Sequence, residues 1–220
     1  MSRWKASGLH LLASFLIVGG IGITSFLMWF PYGLYRLAGL DRLLLIMFAL
    51  DLTAGPLLTL VIYKAGKKGL RFDLTVIALC QLAFLSYGLH ALWQSRPVFL
   101  VASDVRFNLV FANEIDAEQL KLAPRPEWRR LSWTGPQLVG VKAPSNEEQR
   151  QTLLLAYISS GVDLDRLPRY YVPYKDVSHE LIENAATEGS SPPRVPIVSR
   201  HANAFMELDA RTAPAKVVPK

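Results

Sequence analysis

One cysteine, Cys80, and four histidines are all that 220 residues hold of thiol and imidazole side chains. A lone thiol closes no disulfide within the chain and builds no cysteine-based metal site. Also missing are a Gly-rich phosphate loop, an HExxH helix and a GxSxG turn. His179-Glu180 lacks a second histidine four positions on and reads as a solvated helix face. Acidic residues are scarce at the N-terminal end, with three Asp against eight Lys/Arg in residues 1–94. Residues 95–220 are nearly balanced, with fifteen Asp/Glu against sixteen Lys/Arg. The net charge of +6 and the pI near 9.5 therefore do not describe a polyanion-binding domain, which would carry the cationic excess on one of its own faces. These absences set the expectation of no enzyme, no catalytic residues, no metal, no cofactor and no nucleic-acid partner.

Long apolar stretches, by contrast, are abundant. Three runs, 9–30, 43–63 and 74–93, fill the first 93 residues. About 20 apolar residues of helix cross a bilayer core of about 30 Å, and each run has that length. The fold class expected is a membrane α-helical region of three transmembrane helices, residues 1–94, followed by a small α+β periplasmic domain, residues 95–220. A cleaved signal peptide is the competing reading of the first run. Its apolar length exceeds an h-region of about 7–15 residues and it lacks a clear small-x-small site, which favours an uncleaved span. Orientation follows from the cations. Arg3 and Lys5 precede the first span, and Lys64, Lys67, Lys68 and Arg71 crowd the short connector at 64–71. Lys/Arg-rich short loops stay cytoplasmic, so the N-terminus and the 64–71 loop are inside, and the 31–42 loop and the C-terminal domain outside. In a Gram-negative cell this is a multi-pass inner-membrane protein with membrane lipid around it. Trp4, Trp29, Tyr32, Tyr35, Tyr63 and Trp93 mark the span ends.

Asp51 is the most unusual residue in the spans, because an ionisable group in a membrane helix is costly and marks function by default. At 1.5 Å per residue it sits about 12 Å below the outer end, close to the depth of Thr24 and Ser25 in the first helix and of Ser86 and Tyr87 in the third. Two readings stand: a polar staple joining the three helices through those hydroxyls, or a docking point for a partner helix. Gly55-Pro56 follows. Pro56 lacks an N–H and crowds the Leu52 carbonyl, so a kink is expected, its freed carbonyl satisfied by nearby Ser/Thr or water. His10 and His90 read as interfacial polar residues, and Gln81 as packing glue.

In the C-terminal part, residues 98–111 read as two strands around Ser103-Asp104, and 137–141 as a third. A helix is expected at 113–122. Ser145-Asn146-Glu147-Glu148 has the form of a capping box with Ser145 as cap, opening a helix that runs to about Ser159 and stops at Gly161. A further helix is expected at 177–186, a Pro/Ser-rich loop at about 187–196, and a final hairpin around 211–214, with a disordered tail as its alternative. Trp128, Arg129, Arg130 and Trp133, and separately Tyr170, Tyr171 and Tyr174, read equally as contact patches or as buried packing.

Four ordered pieces carry a resemblance. They are Met-Ser-Arg-Trp-Lys-Ala with His10-Leu11-Leu12; Asp51-Leu52-x-x-Gly55-Pro56-Leu57-Leu58-Thr59-Leu60; Lys67-Lys68 leading to Leu70-Arg71-Phe72-Asp73-Leu74-x-Val76-Ile77-Ala78-Leu79-x-Gln81-Leu82; and Tyr87-Gly88 followed by Arg96-Pro97-Val98. Together they resemble the type IV pilin accessory proteins, inner-membrane proteins associated with pilin in Gram-negative bacteria, over residues 1–111. The resemblance implies a non-enzymatic role in pilin stability or pilus assembly, with type IV pilin as partner. Pilins of this kind are single spans with a carboxylate near the outer end of the apolar segment. The surface expected here to hold that span is the kinked second helix, Asp51, Thr53, Gly55, Pro56 and Thr59, with the external domain touching the pilin head. A membrane-anchored periplasmic ligand-binding or sensor protein is the alternative. The short cytoplasmic segments argue against a solo signalling role. A membrane enzyme would rest on His90, Asp41 and Arg96, which form no motif.

Overall fold

A computed structural model of the protein describes residues 2–185 and 190–219. Its contacts divide the chain into two compact units, one of residues 2–27 and 40–93, the other of 28–39 and 94–219.

Three helices build the first unit: α1 (Arg3–Trp29), α2 (Leu40–Ile62) and α3 (Leu70–Gln94), each long and apolar enough to cross a membrane. Their packing is inverted relative to a water-soluble bundle. On α1 the buried positions are Ala6, Ser14, Val18, Gly22 and Ser25, spaced to share one helix face. Leu9, Leu16, Ile23 and Leu27 point outward. Small residues let the backbones approach: a Cβ on Gly22 would lie 3.6 Å from Leu44, and one on Gly88 would lie 3.1 Å from Met47. Within α2, residues Leu50–Ala54 form a π-helical turn immediately before Gly55-Pro56. The proline thus acts through a π-bulge, a one-residue expansion of the helix.

A seven-stranded mixed sheet in the order β4-β3-β1-β2-β5-β6-β7 organises the second unit. Its strands are β1 (Pro97–Ala102), β2 (Phe107–Phe111), β3 (Gln137–Val141), β4 (Tyr171–Val172), β5 (Arg194–Val198), β6 (Asn203–Leu208) and β7 (Pro214–Val218). The hairpin β1–β2 is central and buried at every position, which is why its sequence is a nearly continuous apolar run rather than an alternation. Val98, Val101, Val110 and Val139 pack with Trp128 and Tyr171 in one core, where Phe99 meets Tyr171 edge-on at 5.0 Å. Trp128 and Tyr171 are therefore packing residues, whereas Trp133 is 70% exposed. The segment 28–39 folds with this unit: Trp29 donates to the Trp133 carbonyl at 2.8 Å, and Ser199 donates to the Leu37 carbonyl at 2.6 Å.

Helices α4 (Ala117–Lys121), α5 (Glu147–Ser160) and α6 (Ser178–Ala185) complete the unit. Several expectations need correction. The span 113–122 is a 3-10 turn at Ala112–Glu114 and the short α4, because Asp116 caps a new helix by accepting from the Glu118 amide. The cap of α5 is Asn146, not Ser145: its side chain accepts from the Glu148 amide at 2.9 Å. Gly161, at φ +67°, ends that helix as expected. Of the loop expected at 187–196, residues 187–189 lie outside those described, and Arg194–Val198 is a strand. Proline there pointed away from a sheet, but β5 meets β2 only at Ile197 and Val198, so at Pro196 one side of the strand has no ladder to break. The terminal hairpin forms as β6 and β7, so the disordered alternative does not hold.

Candidate functional site

The polar residues of the helical unit converge on one chain of hydrogen bonds. His10 on α1 places Nδ1 2.7 Å from the Thr59 hydroxyl on α2 and Nε2 against the Gln81 side-chain oxygen on α3. The Gln81 amide nitrogen then donates to the backbone carbonyl of Asp51, at a long 3.4 Å. A neutral imidazole satisfies the whole set: Thr59 donates to Nδ1, Nε2–H donates to Gln81, and Gln81 donates onward. The tautomer and the amide orientation are assigned from these partners.

Pro56 explains why Asp51 needs that donor. In the π turn each amide reaches back five residues, and the residue five beyond Asp51 is Pro56, which has no N–H. In a regular α-helix, which pairs residues four apart, Pro56 would orphan the Leu52 carbonyl instead. A side-chain amide from the third helix takes the place of the Ser/Thr or water expected. Next to it, Gly55 leaves the space that Gln81 occupies: a Cβ on Gly55 would overlap the Gln81 amide. Ser7 adds a fourth tie, donating to the Pro56 carbonyl at 2.8 Å.

Asp51, Gly55, Pro56 and Thr59 are buried in the unit, while Thr53 is exposed. The Asp51 side chain lines a cleft of about 250 Å³ whose walls include Ser14, Ile17, Val18, Gln81 and Leu85. Two of the hydroxyls expected to meet Asp51 are directed elsewhere: Thr24 donates to the Gly20 carbonyl and Ser86 to that of Leu82, each within its own helix. Ser25 is buried and Tyr87 is 74% exposed. Depth counted from the apolar runs brought these residues level with Asp51, but facing was not legible. His10 itself lies two turns inside α1, which starts at Arg3.

Of the residues a membrane enzyme would rest on, His90 and Asp41 are exposed and Arg96 has a structural partner. Buried Arg96 donates to the Ser132 carbonyl at 3.1 Å, and burial lowers its pKa. His179 sits on the exposed face of α6, 3.3 Å from Glu183. Among the described residues no cluster of three His, Cys, Asp or Glu is placed to hold a metal.

The chain is 29% identical over 185 residues to the fimbrial assembly protein, serogroup I, of Dichelobacter nodosus, covering 83% of this chain and 70% of that relative. It is 26% identical over 212 residues to the serogroup E1 protein of the same organism, covering 95% and 79%. The chain is thus similar along most of its length to fimbrial assembly proteins. The serogroups C1 and C2 protein matches over 99 residues at 29% identity, 44% of this chain and 76% of that relative. No family model matches the chain, and no solved structure does. The homologues bear out the resemblance to a type IV pilus assembly-related family, and their names describe assembly rather than a reaction.

Proposed function

We propose that this protein is a non-enzymatic inner-membrane accessory factor that binds type IV pilin and assists its stability or assembly. The observation that carries the reading is homology to fimbrial assembly proteins along most of the chain. Three features support the membrane placement. The helices have the required length and apolarity. Their outward faces are Leu, Ile and Phe while small residues meet inside, as lipid-facing helices require. The segment 28–39 folds with the sheet unit, so it shares a side of the membrane with the C-terminal domain. Threading α2 inward and α3 outward meets that requirement, with the cationic 64–71 loop in the cytoplasm.

The pilin contact runs along the exposed strip of α2 through Thr53, Leu57 and Val61, four residues apart and so on one face. Asp51, Gly55, Pro56 and Thr59 act behind it by fixing the bulge that shapes this strip. On the sheet unit, α5 exposes Leu154, Leu155 and Ile158, an apolar face suited to the pilin head. In-membrane photo-crosslinking tests the reading. A photoreactive residue at Thr53 or Leu57 should capture pilin, and one at buried Thr59 should not. Wild-type levels of pilin and surface pili in a deletion strain would end the proposal.

A further inference from the structure

The sheet unit holds a second polar site. Strands β2 and β5 run parallel through two register pairs, Phe107–Ile197 and Asn108–Val198, and then part. Here the sheet order also reverses, since the chain leaves β2 toward β3 and β4 on one side and returns as β5 on the other. Open sheets with parallel strands bind ligands at such reversals, because departing connections leave a crevice. A cavity of about 140 Å³ lies there, lined by residues of both strands, by Glu114 and by the turn Leu164–Arg166.

Its lining is ionic and only partly self-neutralised. Arg106 pairs with Asp163 at 3.6 Å, and Arg166 with Glu114 at 3.2 Å. Two charges remain. Asp165 is 8% exposed, and its Oδ1 has no hydrogen-bond partner among the described residues; nor does Arg166 Nε. Among the described residues Arg200 is held by neutral groups: it donates to Asn113 Oδ1 at 3.1 Å and to His201 Nε2 at 3.0 Å, and lies 4.8 Å over the Phe111 ring. The acid side is fixed in place. Tyr171 donates to the Asp165 carbonyl at 2.6 Å, Asp163 caps the turn by accepting from the Leu164 amide at 2.7 Å, and Glu114 accepts from the Phe111 amide at 2.9 Å. A buried carboxylate with one oxygen unpartnered selects for a cationic donor, and an arginine held by neutral groups selects for an anion. The space is small, about 140 Å³, and suits a compact occupant.

We propose that this cavity binds a compact zwitterion, a free α-amino acid of glycine or alanine size, with its ammonium group at Asp165 and its carboxylate at Arg200. The inference is independent of the pilin reading. Titration calorimetry on the full chain in detergent, with glycine as ligand, tests it. Saturable binding is expected, weakened at least tenfold by Asp165→Asn and by Arg200→Gln, and unchanged by Asp104→Asn on the remote hairpin turn. Near-UV circular dichroism checks that each variant is folded. On wild-type protein, acetate and methylammonium should fail, singly, to displace glycine at a hundredfold excess. Absence of glycine binding, displacement by either half-ligand, or binding indifferent to both substitutions would each overturn the assignment.

Discussion

At the residue scale, Asp165 makes stability depend on pH. Burial, reinforced by Asp163 and Glu114 and opposed by Arg166, raises its pKa to about 6 from 3.8. Between these values the folded state retains a proton that the unfolded chain has released. Stability therefore falls as pH rises from about 4 to about 6 and is level above. At about 1.4 kcal/mol per pKa unit the contribution is roughly 2–3 kcal/mol. Asp165→Asn should remove it, raising the thermal midpoint of the sheet unit at pH 7 and flattening its dependence between pH 4 and 6. A variant that unfolds earlier at pH 7 would refute this. Gly55→Ala tests a different contact. Overpacking against Gln81 should cost about 1–3 kcal/mol, read as a lower midpoint in detergent, and Gln81→Ala should restore part of the loss by clearing the space. The two sites differ in how far the sequence revealed them. Gly55, Asp51 and Gln81 stood out because polar or kinking residues in an apolar run are conspicuous. Asp165 and Arg200 are ordinary surface residue types, and only the parting of two strands unites them.

At the element scale, the bulge in α2 is the feature on which the proposed pilin contact depends. A π turn adds one residue to the ring and so rotates everything beyond it by about 100° relative to a regular helix. Pro56→Ala restores an N–H and permits regular pairing, which would turn Asp51 and the exposed Thr53 away from their present facing relative to Thr59. The expected result is unchanged protein level with strongly reduced surface pili and loss of crosslinking at Thr53. Unaltered piliation would show that the bulge does not shape the contact. Elements whose determinants are local were legible. The β1–β2 hairpin announced itself by its turn, and α5 by its stop at Gly161. The parallel pairings β1–β3 and β2–β5 were not legible, because each joins distant segments with no turn to set its register. Strand β5 was hidden further by Pro196.

At the scale of the whole molecule, the placement of 28–39 within the sheet unit ties topology to folding. A connector held by Trp29–Trp133 and Ser199–Leu37 hydrogen bonds stays on the same side of a bilayer as the sheet. Cys80 is the chain's one thiol, so a Cys80→Ser background gives a clean test with single cysteines at Arg36, Ala65 and Asp104. In spheroplasts, a membrane-impermeant maleimide should label Arg36→Cys and Asp104→Cys, and should reach Ala65→Cys only after lysis. Labelling of position 36 and position 104 from opposite sides would contradict a connector folded into the sheet unit. Labelling of both only after lysis would keep that unit intact but place it in the cytoplasm, which would remove the pilin head from its reach.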